Sequence, residues 1–235
     1  MSGLLEVIAL GPADAERAEA GGADRIELVG TMDEGGLSPS PGLVEQVRAA
    51  TSIQLRVMVR LREGFSTDGG EAVRLQGLIA SYADAGADGM VLGYLNGLGE
   101  VDREVVGALT DDGTWPWTFH RALDSVLDTD RAWQVLRDLP RLDQVLTAGS
   151  ARGVEQGLDE LLGRARTDPW AATVIMAGGG LRAEDVPWLA RAGIRAFHIG
   201  SAARPGGSFR AYVDEALVRS WRQLVDSEVR HRRNG

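Results

Sequence analysis

The chain has no cysteine and no lysine among its 235 residues. Without cysteine there is no disulfide, no thiolate nucleophile, no iron–sulfur cluster and no thiolate metal site. Without lysine there is no Schiff-base chemistry of the aldolase kind and no P-loop. All 25 basic residues are arginine. Arginine binds anions as a planar fork and cannot act as a proton base near neutral pH. Histidine is scarce as well, with His120, His198 and His231 making up the full set of three. No apolar run reaches the roughly 20 residues of a membrane helix. The first residues show no basic segment followed by an apolar one, so no signal peptide is predicted and a cytoplasmic location is expected. Excess basic charge is missing too. The net charge of -9 argues against nucleic acid as a partner, because phosphate-backbone binding needs a basic face. The one basic cluster, Arg230 to Arg233, lies in a C-terminal tail, about 229–235, expected to fray.

What is present is a repeat of short apolar, β-prone runs. Eight are read: Leu4–Ala9, Arg25–Gly30, Gln54–Arg60, Gly89–Tyr94, Trp117–His120, Gln144–Ala148, Thr173–Ala177 and Ala196–Ser201. Their starts lie about 20 to 35 residues apart, the spacing of strand–helix–strand units. Helical periodicity fills the gaps: Pro12–Ala20, Pro41–Ala50, Glu71–Ala85, Asp102–Leu109, Thr129–Leu139, Val154–Arg166 and Ala183–Ala192. A final helix is expected over Phe209–Glu228, with Tyr212 on its apolar stripe. The phrase Ala-Gly-Ala-Asp, or a variant of it, recurs where helices give way to strands, at Gly22, Gly86 and Gly193. Glycine there ends a helix by taking the left-handed conformation. Eight strands, each followed by a helix, predict one α/β domain over 1–235, a (β/α)₈ TIM barrel with its site at the C-terminal ends of the strands. An open doubly wound sheet is the alternative, but the turn after the first strand lacks its Gly-x-Gly-x-x-Gly signature.

Polar residues gather at the predicted mouth. Alternation puts Arg56 and Arg60 on the inward face of the third strand, Glu6 and Glu27 inside the first and second, Thr118 and His120 inside the fifth, and His198 inside the eighth. Charged groups are seldom buried without pairing, so a mouth of carboxylates, guanidiniums and imidazoles is a place for shifted proton affinities. Arg56 lies deeper and reads as a structural partner. Gly178–Gly180 after the seventh strand, and Gly200 with Ser201 after the eighth, sit where barrel enzymes often bind phosphate. The Gly- and Pro-marked loops after the second and third strands read as lids.

Taken together, Gly22–Leu28, Glu34–Ser40, Val57–Arg60, Phe119–Asp124, Val145–Gly149, Met176–Gly180 and Phe197–His198 resemble the CutC family over nearly the whole chain. The resemblance implies a (β/α)₈ barrel, a cytoplasmic and self-associating protein, and a part in copper handling. It places Glu27, Arg60, His120, Arg121, Asp124 and His198 in the mouth. Copper enters by this resemblance only. The chain departs from the family with Val29 where many members have cysteine, and with Leu61 between two arginines where proline is frequent. Cu(I) prefers thiolate and thioether ligands, and this chain has five methionines with no ligand spacing. His120 with His198 is the remaining candidate metal pair. The residues also support an enzyme on a small anionic metabolite, phosphorylated or carboxylated. In that reading His120 and Glu27 exchange protons, Arg60 and Arg121 bind the anion, and Thr147, Gly178, Gly179, Gly180, Gly200 and Ser201 hold it. Isomerase, epimerase, lyase and hydrolase chemistry, without a tightly held metal, all remain open, and a noncatalytic ligand sensor is a third reading.

Overall fold

The computed structural model describes residues 3–111 and 113–231. Eight parallel strands close into a barrel in chain order: β1 Leu4–Ala9, β2 Arg25–Leu28, β3 Gln54–Met58, β4 Gly89–Leu92, β5 Trp117–Phe119, β6 Leu142–Thr147, β7 Ile175–Ala177 and β8 Ala196–Ile199. Around them run α1 Pro12–Ala20, α2 Pro41–Ala50, α3 Gly69–Asp84, α4 Arg103–Thr110, α5 Thr129–Arg137, α6 Val154–Thr167, α7 Pro169–Val174, α8 Val186–Ala192 and α9 Glu215–His231. Among the described residues no helix is long and apolar enough to cross a membrane.

The recurring Ala-Gly-Ala-Asp phrase has two jobs. Gly22, Gly86 and Gly193 take positive φ and turn the chain out of a helix. The aspartate then joins strand to strand at the base. The Asp24 amide donates to the Leu5 carbonyl while its carboxylate accepts from the Leu5 amide at 2.7 Å. Asp88 repeats this on Leu55, at 2.8 Å in both directions. These strand N-termini would otherwise carry unpaired amides. Short polar residues cap helices as expected: Ser40 accepts from the Leu43 amide and Asp128 from the Arg131 amide.

Several boundaries differ from the sequence expectation. β1 and β7 end where expected, but the other six strands stop one to two residues before the predicted end, because residues such as Arg60, His120 and Gly200 belong to the mouth loops. At β6 the strand begins earlier, at Leu142. Thr173 is helical: Asp168 caps a short extra helix, α7, by accepting from the Trp170 and Ala171 amides. The helix predicted from Phe209 starts at Glu215, and Tyr212 is 61% exposed, outside any helix. The cause is Arg204. It is buried and donates to Asp14, to the Ile8 carbonyl and to the Ala211 carbonyl, so the segment after β8 is strapped across β1. At the other end α9 runs on to His231, and residues 232–235 of the expected frayed tail lie outside the described residues.

The apolar core lies between strands and helices, from Leu5, Val7, Ile26, Leu28, Leu55 and Val57 outward. The barrel interior instead mixes buried charged residues with small apolar clusters, one of them Leu146, Met176 and Ala196. Arg56 reaches Asp143 with two bonds of 2.9 and 2.6 Å and touches Thr118, the structural role expected of it. At Gly157, α6 lies so close to β6 that a Cβ would sit 2.0 Å from the Ala148 carbonyl oxygen. Backbone cannot yield as a side chain does, so Gly157→Ala is expected to destabilise by at least about 1–3 kcal/mol. A urea melt checks this, and an unchanged midpoint would contradict the close packing.

Candidate functional site

A cavity of about 380 Å³ opens at the C-terminal ends of the strands. At roughly 30 Å³ per water it has room for about a dozen waters, the size of a small metabolite. Glu27, Arg60, His120, Arg121, Asp124 and His198 all line it, as do Gly179, Gly180, Gly200 and Ser201. Two predicted members stand behind the wall. The Thr147 hydroxyl donates to Asp124 at 2.6 Å and accepts from the Gly149 amide, which makes it a support for Asp124. Gly178 is packed against Leu146 and His198, with its amide on the Thr147 carbonyl.

Strand register builds the floor. Glu6 is the partner of Arg25 on one side and of His198 on the other, and Glu27 is the partner of Ile8. The side chains follow. Arg25 Nε donates to Glu6 Oε2 at 2.5 Å, and His198 Nδ1 meets Glu6 Oε1 at 2.7 Å. His198 Nε2 faces Glu27 Oε2 at 3.5 Å. All four residues are buried. Burial opposes the charge of Glu6, but Arg25 and His198 overcome it and hold the carboxyl down at about 2. Burial also opposes a charged His198, yet Glu27 and Glu6 outweigh it and raise its proton affinity above the ordinary value. Glu27 goes the other way. Burial, reinforced by the negative Glu6, pushes it up to about 7 against the pull of His198. Its Oε1 has no hydrogen-bond partner among the described residues.

Across the cavity stands His120. Its Nδ1 accepts from the Ala122 amide at 3.2 Å, which leaves the proton on Nε2. Burial and the nearby Arg60 and Arg121 cations drive its proton affinity down to about 3, so the ring is neutral. Its Nε2 is buried without a partner among the described residues. Phe65 holds the ring from one side at 5.3 Å between centroids.

The two arginines are tied differently. Arg60 donates from Nη1 to the Glu34 and Gly36 carbonyls and from Nε to the Gly64 carbonyl, and its guanidinium stacks on Phe65. It thereby pins both predicted lid loops at the mouth. Arg121 donates to Asp124 at 2.8 Å and to the Ser150 and Ala151 carbonyls.

The opposite wall is apolar: Ile8, Met32, Met58 and Phe209 belong to one cluster at the mouth. Sequence reading left Phe65 and Phe209 out, since aromatic residues in loops carry no periodic signal. It also left out Arg25, which alternation with Glu27 would have placed inside the barrel.

The residues do not suit copper. Among the described residues the group close enough to share an ion is Glu6, Glu27 and His198, without His120. Glu6 is already committed to Arg25 and His198. The methionines that line the cavity, Met32 and Met58, are packed in the apolar cluster, the Met176 sulfur already accepts a hydrogen bond from Arg25, and two guanidiniums add positive charge. A soft monovalent cation favours the opposite surroundings.

A CutC family protein of Klebsiella pneumoniae (strain 342) is 36% identical over 203 residues, covering 83% of this chain and 78% of that protein. One of Xanthomonas campestris pv. campestris (strain 8004) is 36% identical over 242 residues, covering 95% and 99%. Among solved structures, CutC from Streptococcus agalactiae superposes with a TM-score of 0.75 at 24% identity, covering 84% of this chain and 98% of that one. That likeness carries the fold, and the family follows from the sequence itself. The CutC family model matches residues 4–203, across all eight strands and every residue of the cavity floor, and the chain belongs to the CutC family.

Proposed function

We propose that this barrel catalyses proton transfer on a small anionic carbonyl compound, with Glu27 as the base and neutral His120 as the hydrogen-bond donor. The observation that carries the reading is that the cavity holds two buried polar atoms without partners, Glu27 Oε1 and His120 Nε2. Buried polar groups are nearly always satisfied, so two left over in one cavity suit a ligand that supplies the missing partners. In the reaction Glu27 removes a proton from the carbon next to a carbonyl. The electron pair of that C–H bond moves to the carbonyl oxygen, which accepts a hydrogen bond from His120 Nε2–H as its negative charge grows. The proton then returns to the same carbon or its neighbour, which gives an epimerisation or an isomerisation. A neutral imidazole serves better here than an imidazolium, because its N–H is a donor matched to an enolate and keeps its proton. The absence of lysine leaves no covalent imine route.

The second reading is copper handling, which rests on the name of the Streptococcus agalactiae relative, a copper homeostasis protein. One set of experiments separates the two. A thermal-shift screen of phosphorylated and carboxylated carbonyl compounds is expected to find a ligand that raises the melting temperature. Incubated with the protein in D₂O, that ligand is expected to take up deuterium next to its carbonyl. Stoichiometric tight Cu(I) binding under anaerobic reducing conditions, lost in His120→Ala and His198→Ala, together with no deuterium uptake by any stabilising compound, would overturn the proposal.

A further inference from the structure

We infer that the rim of the cavity formed by the loops after β7 and β8 seats a phosphoryl group, so that the substrate is a phosphate monoester bearing a carbonyl. The inference rests on the cavity being a substrate site, as proposed above, and adds which acidic group is bound and where.

Gly179, Gly180, Leu181, Gly200, Ser201 and Ala202 all line the cavity. Among the described residues their backbone amides donate to no acceptor, whereas the next residues along the loops, Arg182 after β7 and Ala203 and Arg204 after β8, do. Two neighbouring loops that line one space thus carry N–H groups left unpaired among the described residues. Arg121 joins them from a third direction. A Cβ at Gly179 would lie 2.7 Å from the Arg121 Cζ, so the guanidinium rests directly on the glycine backbone. Gly179 has φ +91 and Gly180 φ +80, the left-handed region that suits glycine. The Arg121 Nε and Nη2 are engaged with Asp124 and the β6 loop, while Nη1 has no partner there.

Asp124 does not spoil the site. Its carboxylate accepts from the Thr147 hydroxyl, the Ala148 amide and Arg121, so its charge is spread over fixed donors. His120 Nε2, buried and unpartnered, belongs to the same cavity as this rim and Glu27, so one small compound can meet all three. Donors that converge from the β5, β7 and β8 loops fit a tetrahedral group with three acceptor oxygens better than a planar carboxylate with two. The chain as a whole is strongly acidic, so diffuse attraction for anions cannot take the place of such fixed donors.

The test uses the full ¹⁵N-labelled chain with inorganic phosphate and, in parallel, acetate. Phosphate is expected to shift the amides of Gly179, Gly180, Gly200 and Ser201 saturably, with a dissociation constant on the order of 1 mM. Acetate is expected to leave them nearly unmoved. Arg121→Gln should weaken phosphate at least about tenfold, the loss of a charge-assisted hydrogen bond. Arg121→Lys, which keeps the charge, should retain part of the affinity and covers the case in which the glutamine variant does not fold. Glu27→Gln should bind phosphate as the parent does, so loss of proton transfer and loss of the phosphoryl site are read separately. No saturable shift, shifts elsewhere on the surface, an equal response to acetate, or indifference to both Arg121 variants would overturn the assignment. Deuterium uptake by a purely carboxylated ligand would then leave the proton-transfer reading standing alone.

Discussion

Glu27→Gln is expected to slow solvent deuterium uptake by the stabilising ligand about 10²–10⁴-fold, the range for loss of a positioned acid/base group. The fold should survive. Glutamine is nearly isosteric, and it carries no charge to desolvate in a pocket where the carboxyl is buried and one oxygen is unpaired. The pH profile makes the prediction specific. In the parent the rate should climb as pH rises through about 7, where burial has placed the Glu27 carboxyl. In the variant that rising limb should disappear, not merely shrink. A variant that keeps both the rate and the limb would remove Glu27 from the chemistry.

Stability moves with the same proton. In the unfolded chain Glu27 ionises near 4.5, but in the native state near 7. Between these values the native protein holds a proton that the unfolded chain has released. Glu27 therefore contributes stability that is complete below about 4.5 and is lost as pH rises through about 7. His198, raised by its two carboxylate neighbours, acts in the same direction, its contribution fading as pH climbs past its native value. Glu6, held at about 2, contributes above its unfolded value of 4.5 and loses that as pH falls toward 2. Melting temperature should fall on both flanks. On the alkaline side Glu27→Gln should fall less than the parent, because the variant has no proton to lose.

The barrel was legible in the sequence because its signals are local and repeated. The apolar runs, the glycine that ends a helix and the Asp24 and Asp88 that tie strand to strand all recur at strand–helix–strand spacing. Strand alternation also placed Glu6, Glu27, Arg56 and His198 inside. Pairing was not legible. Whether His198 meets Glu6, Glu27 or both depends on barrel closure, which brings β8 beside β1 across 192 residues of chain. The role of Arg60 was hidden for a related reason. Its partners are backbone carbonyls of irregular loops, which residue identity does not reveal. Phe209 was misplaced because helical periodicity was extended back through a segment that Arg204, anchored near α1 and β1, pulls out of the helix.

Arg25→Leu should be the most destabilising single change in the site, although the residue touches no ligand. Arg25 is 1% exposed, and its bond to Glu6 is the first in the chain of contacts Arg25–Glu6–His198–Glu27. Removing it strands a fully buried carboxylate beside one histidine. Breaking a buried ion pair from one side costs about 3–5 kcal/mol. For a chain of this size that is a fall of about 6–20 °C in melting temperature, at about 2–4 °C per kcal/mol. The double variant Glu6→Leu with Arg25→Leu removes the stranded charge and should regain more than half of the loss, short of all of it because His198 loses the acceptor of its Nδ1. A single variant that melts within a degree or two of the parent, or a double variant worse than the sum of the singles, would show that the pair does not bear on stability. The same change reaches the chemistry. Arg25 lowers the proton affinity of Glu27, so without it the rising limb of the rate profile should move above pH 7. A pair in the barrel interior then sets the pH at which the carboxylate above it can act, and the shift in that limb measures the coupling directly.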